Sequence, residues 1–115
     1  MTIRTDKTIY DNPDPSDGVR VLVMGLWPRG VSKEKVDLWL KDLGTEKELI
    51  ALWKKGKLTW KEYSRRYIAS LKGKESMLEE LATRSKKETI TLLCVEKDAG
   101  KCHRSLLRQQ IEKLL

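Results

Sequence analysis

The stretch that decides the fold is Val19-Arg20-Val21-Leu22-Val23-Met24-Gly25-Leu26, an apolar run of strand length that is rich in β-branched residues. Its apolar side chains occupy both alternating sets of positions, as in parallel strands that are covered on both faces. A second run of this kind spans 88–95, and helical patterns lie between the two. A long helical crossover between two buried strands implies one sheet in which they are parallel. We therefore predict an α/β fold: a small, mostly parallel sheet flanked by helices, with a multi-helix crossover between the two main buried strands.

The remaining elements are predicted from capping and turn signals. Ser32 is the expected N-cap of a helix over 33–43. Three further helices are expected where a Ser or Thr precedes a Glu by three residues, a capping-box signature. These pairs are Thr45 with Glu48, Thr59 with Glu62, and Ser76 with Glu79. A short edge strand is expected over 8–10, and a last helix over 102–114.

Length and composition limit the class of protein. A chain of 115 residues and 13.3 kDa is expected to form a single domain, 1–115. With 39% hydrophobic and 36% charged residues, it is too apolar for a disordered chain and too charged for a membrane protein. The Met-Thr-Ile-Arg start lacks the apolar run of a signal peptide, so we expect a cytosolic protein without a membrane partner. One Asn, two Gln and abundant Lys and Glu are typical of a thermophile.

The positive charge is concentrated in one segment. The formal net charge is +7, and residues 54–74 hold eight basic residues and one acid, which accounts for the whole excess. Such a segment suits a polyanion, so nucleic-acid binding is one functional hypothesis, and a solubilising surface is its alternative. The aromatic residues of this segment share one helical stripe, which favours a role in the core over base stacking. The basic residues assigned to this alternative site are Lys54, Lys55, Lys57, Lys61, Arg65 and Arg66.

The leading hypothesis places a site at the carboxyl edge of the sheet. Ligands of open α/β sheets bind beyond the carboxyl ends of the strands, where helix N-termini present free N–H groups. Segments 27–30 and 94–104 follow the two buried strands and should meet there. We expect a pocket for a phosphate- or nucleotide-type anion. Its ligand-binding residues would be Trp27, Arg29, Gly30, Cys94 and Arg104, and its catalytic residues Cys102 and His103.

Cys102 admits several interpretations. It could be a nucleophile whose pKa is lowered by the helix start, with His103 as the base. Its spacing from Arg108 matches the Cys-x5-Arg of cysteine phosphatases, but Leu106 and Leu107 stand where such loops need small residues. Cys94, Cys102 and His103 offer at most three metal ligands, and adjacent Cys-His rarely aim at one ion, so neither metal nor cofactor is expected. A disulfide and two simply buried thiols, with His103 as a hydrogen-bonded structural residue, remain open.

A family resemblance supports the same site. It rests on Val21-Leu22-Val23, Leu26-Trp27-Pro28-Arg29-Gly30, the upstream Ile9-Tyr10-Asp11 and Asp17-Gly18, and Cys94 with Cys102-His103-Arg104. Together these resemble the YeaO-like family, a widespread domain of unknown function. The resemblance implies a small cytosolic α/β domain without an established activity. Members have Asp-Arg where this chain has Met24-Gly25, so a role of those two polar residues does not carry over. An enzyme, a nucleic-acid-binding module and a structural or partner-binding domain all stay open, as does the oligomeric state.

Overall fold

Within residues 2–115 the sheet contains four strands, all paired in parallel. The computed structural model describes residues 2–115, with β1 (Thr2–Arg4), β2 (Val19–Leu22), β3 (Leu38–Trp39) and β4 (Thr89–Leu93). The strand order is β1-β4-β2-β3. In the central pair Val21 lies opposite Leu92, so the two apolar runs are neighbours and point the same way. The predicted parallel α/β class is therefore confirmed.

Three helices form the crossover between the strands, and a fourth ends the fold. They are α1 (Lys47–Lys54), α2 (Trp60–Ser70), α3 (Glu75–Ser85) and α4 (His103–Glu112). Short 3-10 turns occupy Pro15–Asp17, Lys33–Lys35, Lys41–Leu43 and Ala99–Lys101. Within residues 2–115, no helix combines the length and the apolar character that crossing a bilayer requires. The multi-helix crossover is as predicted.

The two faces of the sheet are covered differently. Val21, Ile90 and Leu92 pack into a large core to which all four helices contribute buried residues. Leu22 and Leu93, which point the other way, are fully buried beneath loop residues. Apolar side chains occupy both alternating sets of strand positions. Both faces of the sheet are therefore buried, since successive side chains of a strand point to opposite sides. The helices cover one face of the sheet, and loop residues cover the other.

Two predicted elements are wrong. No helix spans 33–43: the segment contains β3 between two 3-10 turns. Leu38 pairs with Val21, and the indole of Trp39 donates to the carbonyl of Met24 over 2.8 Å, so sheet pairing overrides the helical spacing of the apolar residues. The edge strand over 8–10 is also absent: Ile9 makes one backbone hydrogen bond to Cys94, and the chain then turns, with the N–H of Asp11 donating to the oxygen of Thr8 over 3.1 Å.

Only one of the three predicted capping boxes caps a helix. The Thr59 hydroxyl accepts the backbone N–H of Glu62 over 3.1 Å, as expected. The Thr45 hydroxyl instead bonds to the Tyr63 hydroxyl over 2.8 Å, which leaves α1 to begin at Lys47. Ser76 lies inside the first turn of α3, after its N-cap. Tertiary contacts compete with local capping, and at Thr45 they prevail.

A buried carboxylate anchors the start of the sheet. Asp17 is fully buried and accepts hydrogen bonds from Lys7 over 2.9 Å, Arg20 over 2.5 Å and Arg4 over 3.2 Å. Burial raises the pKa of its carboxyl, but the hydrogen bonds from Lys7 and Arg20 outweigh burial and hold the pKa below its ordinary value. Gly18 follows with φ +62°, where a Cβ would lie 2.0 Å from the carbonyl oxygen of Thr89. Only glycine fits this close approach.

Candidate functional site

A cleft of about 760 Å³ lies at the carboxyl ends of β2 and β4. One side is formed by the residues that follow β2, and the other by α1 and the loop that precedes it. Cys94 and the start of α4 form the floor. Its lining residues are Met24, Gly25, Leu26, Lys41, Asp42, Gly44, Thr45, Glu46, Lys47, Ile50, Trp53, Lys54, Tyr63, Lys74, Cys94, Val95, Glu96, Lys101, Cys102 and His103. The cleft therefore lies where the parallel topology places ligand sites.

Two thiols and an imidazole meet on this floor. Cys94 directly follows β4, Cys102 is the N-cap of α4, and His103 is the first residue of that helix. The two Sγ atoms are 2.9 Å apart, and the Sγ of Cys102 is 3.5 Å from the Nδ1 of His103. All three residues are buried. The sequence placed these groups at one edge, and in the structure they are in direct contact.

The tautomer of His103 follows from its second nitrogen. Its Nε2 lies 2.6 Å from the backbone oxygen of Val23. A carbonyl oxygen only accepts, so Nε2 carries the proton and donates it to this bond. In the neutral ring Nδ1 then presents its lone pair to Cys102. The bond to Val23 also fixes the ring plane, and the ring edge packs against Tyr67 with the centroids 5.3 Å apart.

The two thiols differ in acidity. The hydrogen bond from Cys94 lowers the pKa of the Cys102 thiol, burial opposes this shift, and the contact with His103 lowers the pKa further. The same hydrogen bond and burial raise the pKa of the Cys94 thiol. A proton shared by the two sulfurs therefore stays on Cys94, and Cys102 is the thiol that ionises first. A position at the start of α4 also favours a thiolate.

Lysines dominate the charge of the cleft. Five lysines line it against three carboxylates, and none of the five forms an ion pair with another residue in the range 2–115. The lysines are Lys41, Lys47, Lys54, Lys74 and Lys101. Lys74 donates to the backbone oxygen of Asp42 over 2.6 Å, which fixes one ammonium at the rim. The cleft thus presents a net positive wall above the thiols.

One wall of the cleft is apolar and aromatic. Trp53 and Tyr63 line it, with ring centroids 5.6 Å apart, and Trp60 stacks on Tyr63 from behind at 5.0 Å. Burial raises the pKa of Tyr63 to about 12, so its hydroxyl stays protonated in the bond to Thr45. The wall is therefore rigid and neutral. The predicted core role of the aromatic stripe holds for Tyr63 and Tyr67, which are 4% and 0% exposed.

Three residues expected at the pocket lie outside the cleft lining. Trp27 borders a separate groove of about 610 Å³, where its Nε1 donates to the oxygen of Val31 over 2.8 Å. The Trp27 ring meets Trp39 edge-on with the centroids 5.4 Å apart. Arg29 and Gly30 are exposed in the turn that follows Trp27. This turn therefore packs over the loop-covered face of the sheet, beside the carboxyl-edge cleft.

Arg104 is placed differently from the expected anion ligand. Its guanidinium is fully buried and donates to the backbone oxygens of Lys7 and Glu96, the latter over 2.5 Å. Only Nε has no partner among the atoms of residues 2–115. The side chain is absent from the cleft lining, and its two hydrogen bonds clamp two loops onto α4. No sequence signal distinguishes such a buried clamp from a ligand-binding arginine.

The basic segment lies on the surface. All six of its assigned residues are exposed, and none is ion-paired with another residue of the described part of the chain. They are Lys54, Lys55, Lys57, Lys61, Arg65 and Arg66. Lys54 also lines the cleft, so the segment and the cleft share one border. Lys74 ends the basic segment, and Lys47 lies on α1 with Lys54. Lys41 and Lys101 come from separate parts of the sequence, and only the tertiary fold brings them to the cleft.

The fold and this site define a small parallel α/β protein whose Cys-Cys-His cluster lies in a lysine-lined cleft at the carboxyl edge of the sheet. The chain belongs to the DUF488-N3i family, described as the inactive DUF488-N3 subclade, whose model matches residues 3–115. The resemblance to YeaO-like proteins found in the sequence is thereby confirmed.

Relatives at about one-third identity cover nearly the whole chain. The Escherichia coli (strain K12) protein "Uncharacterized protein YeaO" is 32% identical over 110 residues, which are 94% of this chain and 96% of that protein. "Uncharacterized protein Rv3073c" of Mycobacterium tuberculosis is 30% identical over 103 residues, 88% of this chain and 86% of that protein. A Mycobacterium bovis protein, Mb3100c, matches to the same extent. No solved structure matches the chain.

Proposed function

We propose that the cleft binds a small anionic molecule of phosphate or nucleotide type, which meets Cys102 and His103 at the floor. One observation carries this proposal: five lysines without ion-pair partners in residues 2–115 surround a single cleft. Converging ammonium groups attract an anion more strongly in a recess than on open surface, because the protein walls focus the field. The description of the family as inactive favours binding without turnover.

The size and walls of the cleft support an organic anion over a bare ion. A volume of about 760 Å³ lies within the usual range of small-molecule sites. Ile50 and Trp53 offer an apolar surface for a ring, while Lys47 and Lys54 on the same helix offer charge. A molecule with a planar part and a phosphate would use both. A nucleotide has this combination.

Cys102 is the group at the floor that such a ligand would contact. Its Sγ belongs to the cleft lining, and the neutral His103 ring beside it can accept the thiol proton at Nδ1. In the proposed role, Cys102 and His103 contact the bound molecule or respond to its binding.

The test is a titration of the reduced protein with adenosine monophosphate and with inorganic pyrophosphate, followed by amide chemical shifts. We expect saturable shifts at residues that line the cleft. The double variant Lys47→Glu/Lys54→Glu should bind more weakly by up to about 30-fold, because each of the two exposed charge contacts contributes up to about 1 kcal/mol. The matched double variant Lys86→Glu/Lys87→Glu changes net charge equally outside the cleft and should bind as the wild type does.

The proposal fails if neither probe shifts the cleft amides, or if the two double variants weaken binding equally. Equal weakening would mean that overall charge, and not the cleft, attracts the anion.

Nucleic-acid binding is a second candidate, favoured by the exposure of all six basic side chains of the segment 54–66. Lys61 and Arg65 stand one helical turn apart on α2. If they contact phosphates, Lys61→Glu/Arg65→Glu/Arg66→Glu should abolish a gel shift of single- or double-stranded nucleic acid. The salt dependence of the wild type should then show a slope near −0.9 per phosphate contact on a double strand. An unchanged gel shift in the triple variant eliminates this candidate.

A further inference from the structure

We propose that Cys94, Cys102 and His103 form a zinc site with one coordination position open to the cleft. Within residues 2–115 this is the cluster whose Cys and His ligand atoms all lie within 4.8 Å of one another. Two sulfurs and an imidazole nitrogen are the ligands that Zn²⁺ prefers, whereas Mg²⁺ and Ca²⁺ require oxygen. The inference does not require anion binding by the lysines, because the ligand atoms belong to Cys94, Cys102 and His103, but the ion would occupy the floor that the proposed anion reaches.

The distances suit tetrahedral coordination along one edge. With Zn–S near 2.3 Å and Zn–N near 2.0 Å, neighbouring sulfur and nitrogen ligands stand about 3.6 Å apart. The observed separation between the Cys102 Sγ and the His103 Nδ1 is 3.5 Å. Adjacent Cys-His rarely converge on one ion, but here the helix start turns the ring of His103 back beside the preceding sulfur.

The two sulfurs must move apart to hold the ion. They are 2.9 Å apart, and two sulfurs on one tetrahedral zinc stand about 3.8 Å apart. Cys94 and Cys102 both line the cleft, so we expect rotation of one side chain to separate the two sulfurs. An ion seated there keeps a fourth position for water or a ligand, as in zinc sites that bind substrates.

The surroundings already orient the ligands. Imidazoles that bind metals commonly donate their other N–H to a carbonyl or carboxylate, which fixes the ring and its tautomer. The Nε2 of His103 makes this bond to the oxygen of Val23 at 2.6 Å. The backbone N–H of Glu96 lies 3.3 Å from the Sγ of Cys94 and donates to it. Both contacts stabilise a ligating atom in its bound form.

Charge and protons balance in this site. Zn²⁺ binds two thiolates, which cancel its charge, and any proton still carried by either thiol is released to water. His103 stays neutral, since Nδ1 ligates through its lone pair while Nε2 keeps its proton. No oxidation occurs. The competing outcome for the same sulfurs is a disulfide, which needs an oxidant and removes both thiols.

The test is a titration of the reduced full-length protein with Co²⁺, followed by displacement with Zn²⁺. One equivalent of Co²⁺ should produce sulfur-to-cobalt charge-transfer absorption and the intense visible bands of tetrahedral cobalt, and Zn²⁺ should abolish both. Cys94→Ser and Cys102→Ser should each weaken metal binding by about 100-fold or more. Lys86→Glu/Lys87→Glu, outside the cleft, should leave metal affinity unchanged, and a Co²⁺ signal in phosphate-free buffer separates this proposal from the anion proposal.

A second measurement on the wild type does not depend on whether variants fold. Both thiols of the reduced protein should react with an aromatic disulfide reagent, and one equivalent of Zn²⁺ should protect both. The proposal is overturned if stoichiometric Co²⁺ gives no charge-transfer band, or if Zn²⁺ leaves the thiols reactive. Disulfide formation on oxidation in a chain that binds no metal when reduced also overturns it.

Discussion

Asp17→Asn should lower the free energy of unfolding by about 3–5 kcal/mol, the usual effect of removing one partner of a buried ion pair. The carboxylate is fully buried and lies 2.5 Å from Arg20 and 2.9 Å from Lys7. An amide of the same shape removes the negative charge and leaves the Arg20 guanidinium, itself 4% exposed, without a counter-ion. For a chain of this size the loss corresponds to a midpoint lower by about 10–25 °C.

The pH dependence identifies charge as the cause. Because the folded-state pKa of Asp17 is lowered, its stabilising contribution is complete above the unfolded pKa of about 3.9 and is lost as pH falls through the folded value. Urea unfolding at pH 7 should therefore show the full difference between wild type and variant. The difference should shrink steadily as pH falls below about 4.

A matched variant controls for the chemistry of the substitution. Asp42→Asn makes the same change at an exposed carboxylate and should alter stability by less than about 0.5 kcal/mol. The reasoning is refuted if Asp17→Asn costs less than about 1 kcal/mol. It is refuted equally if its full cost persists at a pH where the wild-type carboxyl is protonated.

Three further substitutions or reactions test other parts of the structure. Arg104→Lys should lose one of the two hydrogen bonds to backbone carbonyls, which should lower the free energy of unfolding in urea by about 1–3 kcal/mol. The affinity for pyrophosphate should be unchanged. A stable variant that binds pyrophosphate more weakly would contradict the structural role of Arg104. Gly44→Ala should cost about 3 kcal/mol, since its Cβ would stand 2.4 Å from the Gly25 nitrogen, whereas Gly25→Ala meets nothing within 4 Å and should be nearly neutral. Equal thermal midpoints for these two variants would disprove the close approach. In reduced, chelator-treated protein at pH 7, iodoacetamide should modify Cys102 at least about tenfold faster than Cys94, because only the thiolate attacks. Peptide mapping measures the two rates. The reverse order would contradict the assigned order of acidity of the two thiols.

The central strands were predictable because burial of a strand on both faces requires apolar residues at successive positions of the sequence. Val21 and Leu92 lie in apolar runs with no polar alternation, and such runs have few structural options in a chain this short. The N-cap at Thr59 was predictable because its capping hydrogen bond depends only on two residues three positions apart. Both signals are local or nearly so.

The failed predictions concern segments in which a distant partner decides the structure. Trp39 shares a helical stripe with its neighbours, yet the carbonyl of Met24, just after β2, accepts its indole N–H and the chain extends. Arg104 has the sequence signature of an anion ligand, and only the fold shows that it is fully buried and bonded to two backbone carbonyls. The cleft lysines could not be grouped in advance, because positions such as Lys41 and Lys101 carry no joint pattern.

In the strand order β1-β4-β2-β3, the last strand to be made sits between the first two. Thr2 pairs with Thr89, so the opening strand emerges from the ribosome long before its only neighbour in the sheet exists. Until that neighbour arrives, β1 and β2 share no backbone pairing, and only the side chains of Arg4 and Arg20 connect them, through Asp17. Assembly of the sheet must wait until β4 has been made, and the cysteine that follows β4 joins its site in the same step.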